Sequence, residues 1–177
     1  MIKNQTIVIL IFLINIIYNY FMSINLTLAS SDNQKIQIDA KSAERSQLLK
    51  GLLADYDQKD EIPLPDIKSD ILKKVVEYLV YYKDKTPKEI PKPLPSANLL
   101  EVTDEWDVNF INGIELDSVF DLINAANYMD ISPLLDLACA KIASMMKGKS
   151  AEEIRAMFNI ECDLTEEELK EYEEYQI

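Results

Sequence analysis

Residues 120–168 read FDLINAANYMDISPLLDLACAKIASMMKGKSAEEIRAMFNIECDLTEEE. Within them, Leu134 to Lys147 is apolar on two sides at helical spacing. One stripe is Leu135, Cys139, Ile142 and Met146; the other is Leu134, Leu137 or Ala138, and Met145. A surface helix carries one such stripe and a polar back. Two stripes call for burial on all sides, or for one face in the fold and one on a partner. The pattern alone leaves both open. The flanks punctuate the helices: Ser118 starts a helix over Val119–Met129, and Pro133 opens the next, where a missing N–H costs nothing. Gly148 stops that helix, and Ser150-x-x-Glu153 is a capping box for Ala151–Phe158. Thr165-x-x-Glu168 repeats the device for a final acidic helix.

Working back toward the N-terminus, Ile24–Leu28 alternates with period two, Ser30–Gln34 is turn material, and Ile36–Ile38 alternates again. That is a β-hairpin. Ser42 can cap a helix to about Leu53, with Leu48, Leu49, Leu52 and Leu53 on its apolar face. Ile62-Pro63-Leu64 reads as a short strand that its proline confines to a sheet edge. Ser69 then caps Asp70–Tyr82. Residues 83–100 hold Pro87, Pro91, Pro93 and Pro95 and read as a linker. Trp106 and Phe110 resume a short helical pattern. Strands early and helices late make an α+β fold.

Composition excludes more than it affirms. The chain has 177 residues, three scattered glycines and no histidine. A glycine-rich phosphate loop, a Ser-His-Asp or Cys-His pair and a His-containing zinc site are all out of reach. Cys139 and Cys162 have no CxxC spacing, so no metal ribbon or disulfide scaffold is indicated, and Cys139 reads most simply as a small buried hydrophobe. A net charge of −13 opposes a nucleic-acid surface, which needs a basic stripe. Most carboxylates lie in runs such as Glu166-Glu167-Glu168, the mark of a solvated helix start rather than a catalytic pair. The expectation is an interaction protein with no catalytic residues, no metal and no cofactor.

The stretches NAANYMDI, LLDLACAKIASMMKGKSAEEIR and FNIECDLTEEE closely resemble the C-terminal half of the Skp family, and a looser match runs back to about Ser23. Members of that family are adaptors of SCF ubiquitin ligases and link a cullin scaffold to F-box substrate receptors. The resemblance implies a BTB/POZ-type fold over 22–131, with additional C-terminal helices over 132–177. It implies cullin binding at Asn127 and Tyr128, and F-box binding at Leu135, Cys139, Ile142, Met146, Ile154, Phe158 and Ile160. It also implies a place in the cytoplasm and nucleus. Some protist members carry a hydroxylated, glycosylated proline at the position of Pro133; a plain helix-start proline is the simpler reading. Two departures stand out. The chain ends EEYEEYQI without the family's Trp-containing tail, leaving Tyr172 and Tyr175 as substitutes, and a Lys/Pro-rich linker replaces an acidic loop. An elongin-C-like adaptor or a homodimeric BTB protein is the neighbouring alternative, and Ala151–Glu168 argues against it.

Met1–Phe21 differs from the rest, with one charge and an apolar run from Ile7. Its residue types are those of AT-rich codons, and the expectation is an upstream extension with translation starting at Met22. A signal or membrane anchor is the alternative, which would make the protein secreted or anchored. As a helix, Ile7–Ile17 would span only about 16 Å of a ~30 Å bilayer core.

Overall fold

The computed structural model describes residues 25–53 and 60–161. The expectations for Met1–Phe21, Met22, the Thr165 capping box, Tyr172 and Tyr175 lie outside the described residues.

Strand β1 (Asn25–Ser30) pairs antiparallel with β2 (Lys35–Asp39), with Asn25 opposite Asp39 and Leu28 opposite Ile36. The hairpin expectation holds. Asn33 supplies the turn's positive φ of 59°. Strand β3 (Glu61–Leu64) joins β1 in parallel, giving the order β2-β1-β3. Pro63 therefore lies on an edge strand, where its missing N–H breaks no ladder on the far side. Period-two patterning puts Leu26 and Leu28 fully in the core.

The single helix expected from Ser42 to Leu53 is two short ones, α1 (Ala40–Ala43) and α2 (Gln47–Leu52). Ser42 lies inside α1, where its N–H and Oγ both donate to Asp39 at 3.1 and 2.7 Å, so Asp39 is the cap. Ser46 breaks the run. Its Oγ donates to the Met129 carbonyl at 2.5 Å and accepts from Leu49 N, which caps α2 and ties it to a distant helix end. Ser69 is likewise no cap. It occupies the first position of α3 (Ser69–Tyr81), after Lys68, and donates through N and Oγ to Asp32 in the hairpin turn at 2.9 and 2.7 Å. Those bonds, Oγ first, lower the Asp32 pKa from 3.8 to about 2.

A one-turn 3₁₀ helix (Leu99–Glu101) and α4 (Glu105–Asn112) follow. Helix α5 (Leu116–Tyr128) begins earlier than Ser118, with the Glu115 carbonyl accepting from Val119 N at 3.0 Å and Val119 and Leu122 buried. Helix α6 (Ser132–Met146) carries Pro133 in its first turn, and Gly148 follows it at φ 77°, the left-handed region that favours glycine. Helix α7 (Ala151–Phe158) has the full Ser150–Glu153 capping box and ends on Asn159 at φ 52°. Sheet and helices share one core, to which α6 contributes Leu134, Leu137, Ala138 and Ala140. Leu134 and Leu137 are fully buried and each stabilises by roughly 1.5–3 kcal/mol. Among the described residues no helix is long and apolar enough to cross a membrane.

Candidate functional site: one end of α5 and the outer face of α6

The two stripes of α6 have different fates. Of the inner one, Leu134, Leu137 and Ala138 are core, while Met145, near the end of the helix, is only half-buried. The outer one is left open: Leu135 and Ile142 are half-buried against the core edge, while Cys139 and Met146 are exposed. The expectation that Cys139 is a buried hydrophobe is therefore wrong. It falls on the line that points away from Leu134 and Leu137, and its thiol faces solvent at the lip of an apolar groove. The surrounding groove wall, and then the Asp136 carboxylate, push its pKa up.

Helix α7 adds a shelf rather than core, since none of its residues is buried. Ile154 and Phe158 are half-buried, and Ile160 beyond the helix is exposed. Phe158 meets Phe120 of α5 edge-to-face, ring centroids 5.8 Å apart. Phe120 escaped sequence reasoning, although its phase was visible. It stands next to the buried Val119 and one to two turns before Asn124 and Tyr128, on the exposed side of α5.

At the C-terminal end of α5, Asn127 and Tyr128 are both exposed, Tyr128 by 47%. The ring is thus displayed to solvent instead of serving the core, which Ala125, Ala126 and Met129 supply at the same turn. Asp130 follows at φ 50°, and Ile131 N donates back to the Ala126 carbonyl, so the α5–α6 corner is tightly closed. Pro133, in the first turn of α6, is exposed and needs no donor there.

The proline-rich stretch is not free. Ile90 is buried, Leu94 packs on the core, and Lys92 Nζ meets Asp136 of α6 at 2.6 Å. That hydrogen bond raises the Lys92 pKa. Lys147 Nζ donates to the carbonyls of Leu94 and Pro95 at 2.7 and 2.9 Å. The segment is a strap along one bank of α6. The alternating apolar residues in KEIPKPLP were the signal for it.

The arrangement exposes side chains that can pack against another molecule. Among the described residues no cluster of three or more His, Cys, Asp or Glu could hold a metal ion. What it presents is apolar surface on α6 and α7, and a separate aromatic corner on α5.

Comparison with known proteins gives this geometry its family. Residues 24–84 match the model described as the Skp1 family tetramerisation domain, a POZ-type unit, and residues 132–176 match the Skp1 family dimerisation domain. The BTB/POZ-type expectation for the sheet and first helices holds. An S-phase kinase-associated protein 1 homolog of Tetrahymena thermophila is 45% identical over 146 residues, 82% of this chain and 88% of that protein. The E3 ubiquitin ligase complex SCF subunit sconC is 43% identical in Arthroderma otae, covering 81% of this chain and 87% of that protein. In Talaromyces marneffei it is 41% identical, covering 83% and 91%. With both halves of the chain matched in order and likeness of this degree along most of its length, the protein belongs to the Skp1 family.

Proposed function

We propose that this protein is a non-catalytic adaptor subunit of an SCF-type ubiquitin ligase, bridging a cullin scaffold and F-box substrate receptors in the cytoplasm and nucleus. The observation that carries the reading is the open stripe Leu135, Cys139, Ile142, Met146 on a helix whose other side is core. Its i, i+4, i+7, i+11 spacing suits packing against a partner helix. Ile154, Phe158 and Ile160 extend the same apolar supply on the chain that follows. Asn127 and Tyr128 supply the second, cullin-facing surface, where an exposed tyrosine makes an interface anchor. The family, and relatives described as SCF subunits, support the assembly.

Two substitutions test it by titration against a purified F-box domain and a cullin N-terminal domain. Ile142→Glu abolishes F-box binding by leaving a carboxylate unpaired in an apolar contact, and spares cullin binding. Asn127→Lys with Tyr128→Ala does the reverse. Loss of both partners in either variant refutes the division of surfaces.

A further inference from the structure

Residues 83–98, KDKTPKEIPKPLPSAN, have the composition of an extended spacer, and a free spacer would keep its conformational entropy. Instead it is fastened at both ends and in the middle. Tyr82, at its entrance, and Thr103, just past its exit, both donate hydroxyl hydrogen bonds of 2.7 Å to the buried Asp107 carboxylate. Its middle is held by Lys92 on Asp136 and by Lys147 on the Leu94 and Pro95 carbonyls.

The fastened strap makes a groove. Ile90, Pro91 and Leu94 stand on one side, Ala140 and Ala143 form the α6 side, and Cys139 lies at the lip; the space is about 210 Å³. A second hollow of about 160 Å³ adjoins it toward Pro133 and shares Ile90 and Asp136. At about 100° per residue, Leu135, Cys139, Ile142 and Met146 lie in one arc of α6, and Ala143, Asp136 and Ala140 continue that arc directly on the Cys139 side. Groove and stripe are therefore one surface, with Cys139 in both. The lysine at the groove mouth, Lys92, is already paired, so an apolar group entering there displaces no free charge.

We infer that the strap is the second wall of the partner-receiving surface, and that the groove between it and α6 takes an apolar side chain of the same F-box receptor that lies on the α6 stripe. The inference rests on the assignment of that stripe to F-box binding. Small side chains at Ala140 and Ala143 leave the room, and the tethers keep the wall upright before the partner arrives, which reduces the ordering cost of binding.

The experiment is calorimetric titration of a purified F-box domain into the full chain and its variants. Ala143→Phe fills the groove without touching the stripe and weakens binding about tenfold, the effect of blocking an interface anchor. Lys92→Glu sets like charges against each other, releases the strap and weakens binding several-fold; adding Asp136→Lys restores the pair and the affinity. The amides of Ile90, Lys92 and Leu94 gain hydrogen-exchange protection when the F-box domain binds. Wild-type affinity for Ala143→Phe, with Ile142→Glu inactive, overturns the groove and leaves the adaptor reading intact. Wild-type affinity for Ile142→Glu overturns the adaptor assignment of α6 and the groove with it. Should Ala143→Phe fail to fold, the Lys92/Asp136 exchange decides: no loss in the single variant, or no recovery in the double, overturns the proposal.

Discussion

Tyr82→Phe removes one oxygen from a buried polar site built by Tyr82, Thr103 and Asp107. Asp107 is 3% exposed and Tyr82 is equally enclosed, and the hydroxyl donates to Oδ1 at 2.7 Å while Thr103 donates to Oδ2 at 2.7 Å. No described buried side-chain polar atom lacks a partner, so no spare donor stands ready. The ring itself stays, with its contacts to Tyr78 at 4.7 Å and to Trp106 at 5.7 Å. The loss leaves one buried carboxyl oxygen without its hydrogen-bond partner, about 1–3 kcal/mol. That lowers the melting temperature by about 2–12 °C for a chain of this size. Urea unfolding followed by far-ultraviolet circular dichroism should show a lower midpoint with an unchanged slope. The apolar triple variant Tyr82→Phe, Thr103→Val, Asp107→Val sharpens the argument. Asp107→Val alone strands two buried hydroxyls, whereas removing all three polar partners together strands none. The triple variant should therefore be more stable than Asp107→Val alone. A change below about 0.5 kcal/mol in Tyr82→Phe, or strict additivity in the triple variant, refutes the clasp as the force holding the ends of the strap.

Other perturbations follow from the same geometry. Asp32 is held at about 2 against an ordinary 3.8, so its contribution is present above pH 3.8 and lost as pH falls through about 2; Asp32→Asn should flatten the acid limb of a stability–pH profile in that window. Tyr78 and Tyr82 are pushed above the ordinary tyrosine range, chiefly by burial, so stability should fall as pH rises above about 10; the share of tyrosinate absorbance that belongs to these two rings should appear only with unfolding, and Tyr82→Phe should soften that limb. Leu137→Ala should cost about 2–5 kcal/mol in chemical unfolding, and Met146→Ala, on the outer stripe, less than about 1 kcal/mol. Ser150→Ala removes the α7 cap and should raise amide exchange over 151–158 by a factor of about five, equivalent to ~1 kcal/mol, with little change in global stability because α7 buries no residue.

Local chemistry in the sequence determined much of this protein. Alternation in Leu26 and Leu28 against Ile36 and Ile38 fixed the hairpin, because period two commits every second side chain to one face. Pro63 fixed an edge, Pro133 a helix start, and Ser150 with Glu153 a capping box, because each acts through groups within a few residues. The absence of histidine and of a glycine-rich loop ruled out whole classes of chemistry before any fold was known. Tertiary structure decided what depends on partners far along the chain. Ser46 breaks the expected helix because the Met129 carbonyl, 83 residues away, takes its hydroxyl, and Ser69 serves Asp32 rather than its own helix end. Two apolar stripes on α6 are equivalent as a pattern; only the packing of the sheet and the other helices buried Leu134 and Leu137 and left Cys139 and Met146 open. Composition alone reads a spacer in the proline-rich stretch, since the charges and carbonyls that fasten it meet Asp136, Lys147 and Asp107 only once the chain has folded.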